Sequence, residues 1–230
     1  MNEILSISIV PVLVTLSTFY VGVIAQRKLK TYLCSPIVVA VVLILAFLSA
    51  TGMDMKTFQA GNTYFSWLLA PATVSLAVPL YEHFQILRKN TRVLIASIAA
   101  GAISCLVMVL VCGLLLNLER EMILSLLPKS VTTAIGVPLS EMAGGIGPIT
   151  TAAILVTGVS ASVLGPALCK LFHLTDEIAQ GVAYGTAGHV VGTSKAMEGS
   201  ALSGAAGSFS LVVAGLLTAV VMPVVVSLLA

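Results

Sequence analysis

Apolar residues in this chain come in long runs separated by short polar loops. The runs cover 4–25, 33–50, 64–81, 93–116, 123–139, 149–172, 181–198 and 201–229. Each approaches the roughly 20 residues that a helix needs to cross the hydrocarbon of a bilayer. The pattern predicts a single polytopic membrane domain over 1–230. It is an all-α integral membrane protein of about seven to eight transmembrane segments. Pro71 and Pro79 interrupt the third run, Pro128, Gly136 and Pro138 the fifth, and four glycines with polar neighbours the seventh. A segment in lipid must satisfy its own backbone, so broken or re-entrant helices are expected only where protein buries them or a hydrated cavity receives them.

The loops carry the orientation. Of 11 Lys and Arg, three lie in 26–30 and three in 88–92. Cytoplasmic loops are enriched in these residues, so both basic loops are expected inside, with the N-terminus and 119–121 outside. The first run follows Glu3 instead of a basic stretch and has the length of a full span. It therefore reads as a retained helix and not as a cleaved signal peptide.

Composition sharpens the class. The chain is 58% hydrophobic and 9% charged with mean hydropathy +1.11, against about 45–50% and about 25% for soluble domains. A soluble fold is excluded. A net charge of +2 gives no reason to expect nucleic acid. Cys34, Cys105, Cys112 and Cys169 show no metal-ligand or redox spacing and read as small packing residues. No Ser/His/Asp, metal-binding or phosphate-loop constellation is present. The expectation is therefore no enzyme, no cofactor and no metal.

The polar groups at membrane depth are the candidate chemistry. On a continuous helix, Gly181, Gly185, Gly188 and Gly192 share one narrow face, the small-xxx-small spacing that lets two backbones approach. About 100° round that helix, Thr186, His189 and Thr193 form a polar stripe. With an unperturbed pKa of about 6.5, His189 suits proton coupling, or it is a neutral histidine bonded between helices. Lys195 and Glu198, three apart, suit a structural pair. In 127–141, Pro128 fits a first helical turn, while Lys129, Ser130, Thr132 and Thr133 supply a positive charge and hydroxyls. Freed amides at such a break attract a carboxylate or similar anion. The alternative is that Lys129 reaches the headgroups and the hydroxyls bond their own helix. Glu82 and Glu141 each follow a Val-Pro-Leu-x element near the expected inner face. They are helix-end carboxylates in water, or else sites of ion or proton coupling.

Thr73–Glu82 (TVSLAVPLYE) and Thr132–Glu141 (TTAIGVPLSE) match at five of ten positions, which suggests an internal repeat. Such duplication, with Gly- and Pro-interrupted segments in corresponding places, points to a transporter's central site. If one interrupted segment re-enters instead of spanning, the two copies run antiparallel; the residues leave this open.

Three blocks, LLPKSVTT (126–133), SEMAGGIGPITTAAILVTGVSASVLGP (140–166) and GVAYGTAGHVVGTSKAMEGSALSGAAGS (181–208), closely resemble the LrgB/CidB family of antiholin-like membrane proteins. APATVSLAVPLYEH (70–83) resembles that family's first-half signature. One departure is Ala134, where the family usually places a proline after PKSVTT. The resemblance implies a multi-pass protein of the bacterial inner membrane, often paired with a small holin-like LrgA/CidA-type partner and linked to murein hydrolase activity and autolysis. Other relatives, plastid ones included, resemble carriers of pyruvate, glycolate or glycerate. The expected partners are thus the lipid bilayer, a small carboxylate, that holin-like protein, and a second copy of the chain in a dimer.

Overall fold

The computed structural model describes residues 2–29 and 36–227; Lys30 and Cys34 lie outside them. No strand occurs among the described residues, whose helices divide between two compact units, Met1–Ser75 and Leu76–Ala230. Among the described residues four helices are long and apolar enough to cross a membrane: Ile9–Leu29, Thr91–Leu115, Gly147–Leu171 and Ala201–Ser227. Pro36–Thr51 is apolar but shorter. The protein is an all-α membrane protein.

In the first unit, α1 (Asn2–Leu29) packs on α2 (Pro36–Thr51), and α3 (Met55–Gly61) and α4 (Thr63–Ser75) follow. The α1–α2 crossing is tight because Gly22 has no side chain: a Cβ there would sit 2.7 Å from the Pro36 carbonyl oxygen. The Thr15 hydroxyl donates to Asn62 Oδ1 at 3.2 Å, joining α1 to the end of α3.

The second unit begins with the short α5 (Ala77–Glu82) and α6 (Phe84–Lys89), then the uninterrupted α7 (Thr91–Leu115). In α7 the buried residues are Leu94, Ile98, Ala102, Leu106, Val109 and Gly113. These fall every three or four positions, one stripe of a helix whose other faces are equally apolar but exposed. Lipid tails are as apolar as leucine, so close packing selects the stripe and hydrophobicity does not.

After α7 the chain makes no further full crossing until α10 (Gly147–Leu171). Between them α8 (Arg120–Leu126) enters, the chain turns at 127–132, and α9 (Thr133–Met142) returns. The return is recorded by contacts between the two limbs. Ser125 Oγ in α8 accepts from the Ile146 amide just beyond α9 at 2.7 Å, and a Cβ on Gly136 would lie 3.1 Å from the Pro128 carbonyl oxygen. With limbs of 7 and 10 residues, at about 1.5 Å per residue, this hairpin reaches only part way through a bilayer.

The same happens again after α10. α11 (Glu177–Gly199) is 23 residues long, and straight it would span about 33 Å. Yet Ser200 Oγ donates to Glu177 Oε2 at 2.8 Å, and Gly192 packs on the Tyr184 backbone. The helix folds back on itself at His189, whose φ of 43° and ψ of −133° are non-helical. Both 127–141 and 181–198 therefore re-enter instead of spanning. α12 (Ala201–Ser227) then crosses beside both limbs of the second hairpin, touching 181 and 185 on one and 193 and 197 on the other.

α7 and α10 run antiparallel. The end of α7 meets α8 through Gly113 and Ile123, while its start shares a crevice with Leu174 and Asp176 past the end of α10. A span followed by a hairpin thus occurs twice, in opposite directions. This duplication is not the ten-residue match of 73–82 with 132–141. Of those segments the second forms α9 with its cap, whereas the first covers the end of α4 and all of α5.

Candidate functional site

The two hairpins approach α10 from opposite ends. The first is fixed near the start of α10 by hydroxyls, with Thr150 Oγ1 donating to Ser140 Oγ at 2.7 Å. Ser140, Thr150 and Ser125 are fully buried, so these bonds replace water that lipid cannot supply. The second is fixed farther along, where Tyr184 packs on Gly165 and Gly188 on Ala161. Their tips meet at one turn of α10. Ile154 packs its Cδ1 2.7 Å from where a Gly136 Cβ would be, and its carbonyl oxygen lies 3.0 Å from His189 Nε2. A carbonyl only accepts, so Nε2 carries the proton in this contact.

Two half-helices begin at this place. α9 starts after Thr132, and its first backbone bonds run from the Ile135 and Gly136 amides to the Thr132 carbonyl, which leaves the Thr133 and Ala134 amides ahead of them without a helical acceptor. The return limb of the second hairpin starts after His189. Each start carries about half a positive charge from its aligned peptide dipoles. Lys129 at the first tip adds a whole one; it is half-buried, and its Nζ donates to Ser130 Oγ at 3.3 Å. Thr132 is half-buried, whereas Thr133 is exposed. Two helix starts and a cation suit a small anion.

His189 is only 5% exposed and rests on Gly158, where a Cβ would lie 2.7 Å from the imidazole. Sequence reasoning missed Gly158 and Ile154 as its partners. The available signal was Gly158 itself, a glycine interrupting an apolar run.

The polar stripe expected from a continuous helix is divided, because the chain reverses at His189. Thr186 faces Gly101 of α7, His189 faces α10, and Thr193 faces Gly207 of α12. Thr193 Oγ1 donates to the His189 carbonyl at 2.8 Å, so this hydroxyl serves its own limb. Thr186 Oγ1 is buried with no hydrogen-bond partner among the described residues. The glycine face divides for the same reason. Gly181 and Gly185 pack on Ser203 and Gly207 of α12, Gly188 on α10, and Gly192 on the opposing limb. Lys195 donates to Glu198 in an i,i+3 pair at the hairpin surface, 2.5 Å apart.

The two carboxylates do not share a face. Glu82 ends α5, beside the basic loop, and is exposed. Glu141 is exposed at the base of the first hairpin, against Gly147 at the opposite end of α10. The expectation that both lie near the inner face fails for Glu141 because its segment turns back. Neither reaches the tips.

The sequence profile of the LrgB-like family matches residues 15–228, nearly the whole chain. The chain belongs to the LrgB-like family. The match takes in both hairpins, α10 between them and nearly all of α12. No solved structure matches the chain.

Proposed function

We propose that this member of the LrgB-like family is a secondary carrier for a small monocarboxylate of the pyruvate, glycolate or glycerate class. The observation that carries the reading is the convergence of two opposed hairpins, with half-helix N-termini and Lys129, beside Ile154 of α10. Inverted span-and-hairpin units with discontinuous helices around a central site are the architecture of alternating access. In this reading the carboxylate lies between Lys129, Ser130 and the first amides of α9. His189, at the other tip, holds or passes a proton. Rocking one hairpin at a time opens the site to one side and then the other. The protein sits in the bacterial inner membrane with loop 88–92 in the cytoplasm. No step requires a cofactor or a metal.

Uptake of labelled pyruvate, glycolate and glycerate into proteoliposomes under a pH gradient tests it. Saturable uptake is expected for one of them, with its KM raised about ten- to hundredfold when Lys129 is replaced by glutamine. No uptake of any C2 or C3 acid sinks the proposal. The other role, restraint of a holin-like partner and thereby of murein hydrolases, predicts lysis control that survives Lys129→Gln in a normally expressed protein.

A further inference from the structure

The first limb of the second hairpin is gripped on one side and bare on the other. Gly181 and Gly185 pack on α12, whereas Ala183 and Ala187, about 200° round the helix, are exposed. Two hollows flank the bare face. One, of about 430 Å³, lies toward α7, with Leu94, Ser97, Leu174 and Ala183 in its wall. The other, of about 220 Å³, lies toward α10, with Ala161, Phe172, Leu174 and Ala187 in its wall. Leu174 and Ala183 belong to both. The hollows therefore adjoin along Ala183 and share an end at Leu174, in the link from α10 to α11.

Each runs about 16 Å along its outer helix. The first goes from Asn90 to the floor where Gly101 packs on the Thr186 methyl group, the second from Phe172 to Ala161. That is about half of the roughly 30 Å of hydrocarbon in a bilayer, the depth of one leaflet. Both begin where α7 starts and α10 ends, at the membrane surface. Apolar walls at that depth are not filled by water, and an empty hollow forfeits dispersion contacts along its whole lining. Acyl chains fill it.

The shared end is bordered by charges of both signs. Among the described residues, Asp176 alone brings a charge to the wall of the larger hollow. It is exposed, and its Oδ1 caps α11 by accepting from the Ala179 amide at 2.8 Å. Asn90, in the same wall, is flanked by the exposed Arg88, Lys89 and Arg92, while Glu82 and Glu177 are exposed as well. Three acids thus stand against three bases. Such a balance concentrates neither a free anion nor a free cation. It suits a headgroup that carries a phosphate and an ammonium together.

We propose that a phospholipid with a primary ammonium headgroup sits astride the first limb of the second hairpin, one acyl chain in each hollow. Its ammonium lies at Asp176 and its phosphate toward Arg88, Lys89 and Arg92. The lipid gives the alanine face neighbours and so supports the limb that ends at His189. This binding goes beyond the carrier reading and is independent of it.

Phosphatidylethanolamine with a diazirine on an acyl chain, photolysed with the full-length protein in nanodiscs, tests it. Adducts should fall on 90–97 and 161–187 in preference to the exposed stripe of Val212, Leu216 and Val220 on α12. Unlabelled phosphatidylethanolamine should compete better than phosphatidylglycerol by about two- to fivefold, the size of one exposed ion pair. Asp176→Asn keeps a capping side chain and should abolish that preference. Ala183→Trp, placed where the hollows adjoin, should remove the adducts from both with the lipid-free Tm in detergent unchanged. Even labelling of the hollows and the α12 stripe overturns the proposal, as does equal competition by the two lipids in wild type or an unchanged preference in Asp176→Asn. A large fall in the lipid-free Tm of Ala183→Trp also overturns it, since protein, from this chain or a second copy, would then cover the face instead of lipid.

Discussion

The two hairpins of the second unit reverse the chain by different physical means. The first uses a six-residue turn, 127–132, and is held by hydroxyls: Ser125 to the Ile146 amide, Ser140 to Thr150. The second reverses at the single residue His189 and holds its limbs by backbone contact through glycine: Gly181 and Gly185 on α12, Gly192 on the Tyr184 backbone. Bonds between hydroxyls are directional and individually small in membranes, about 0.6 kcal/mol on average. Glycine packing has no strength of its own but fails abruptly when a side chain is inserted, since the neighbour is backbone and cannot move aside. The first hairpin should therefore weaken by degrees, and the second by collapse.

Gly185→Leu should have the largest effect. The new side chain would meet the Gly207 backbone, where overpacking costs about 1–3 kcal/mol or more. The expected outcome is loss of monodisperse protein in detergent, or a fall in Tm of many degrees. An unchanged melting curve would mean that α11 and α12 are not in contact there.

Lys129→Gln comes next and acts on function alone. Removing one charge-assisted contact to a carboxylate costs about 1.5–3 kcal/mol, or about a ten- to hundredfold rise in KM for uptake with Tm unaltered. A KM within twofold of wild type would take Lys129 out of the site.

His189 allows the sharper comparison. A non-glycine residue at positive φ stores about 1–3 kcal/mol of strain, and its bond to the Ile154 carbonyl returns about 1 kcal/mol. His189→Ala loses the bond and keeps the strain, while His189→Gly loses the bond and relieves it. The glycine variant should thus be more stable than the alanine variant by about 1 kcal/mol in a denaturation series. Equal stabilities would show that the reversal at 189 is unstrained.

The smallest effect belongs to the first hairpin. A double-mutant cycle of Ser140→Ala and Thr150→Val should give a coupling of about 0.5–1 kcal/mol. A coupling indistinguishable from zero would show that apolar packing alone holds α9 on α10.

The residues by themselves determined the class and the places of interruption. Hydropathy located the apolar segments because the transfer of each side chain into lipid depends on its own chemistry. Proline and glycine located the breaks because their backbone preferences are local. PKSVTT and GTAGHVVGTSKAME stood out as candidates for the same reason: polar groups at membrane depth need an account whatever surrounds them. What escaped was direction. A helix that crosses and one that turns back have the same composition and period, and His189, the pivot of α11, is not a residue whose type announces a reversal. The face shared by four glycines, and the stripe of Thr186, His189 and Thr193, were sound geometry for a straight helix; a single positive φ redistributed them among α7, α10 and α12. That outcome was decided by tertiary contacts such as Ser200 with Glu177 and His189 with Ile154. A reversal is stable only when distant partners receive the backbone and the polar groups it frees, and no local stretch of sequence contains those partners.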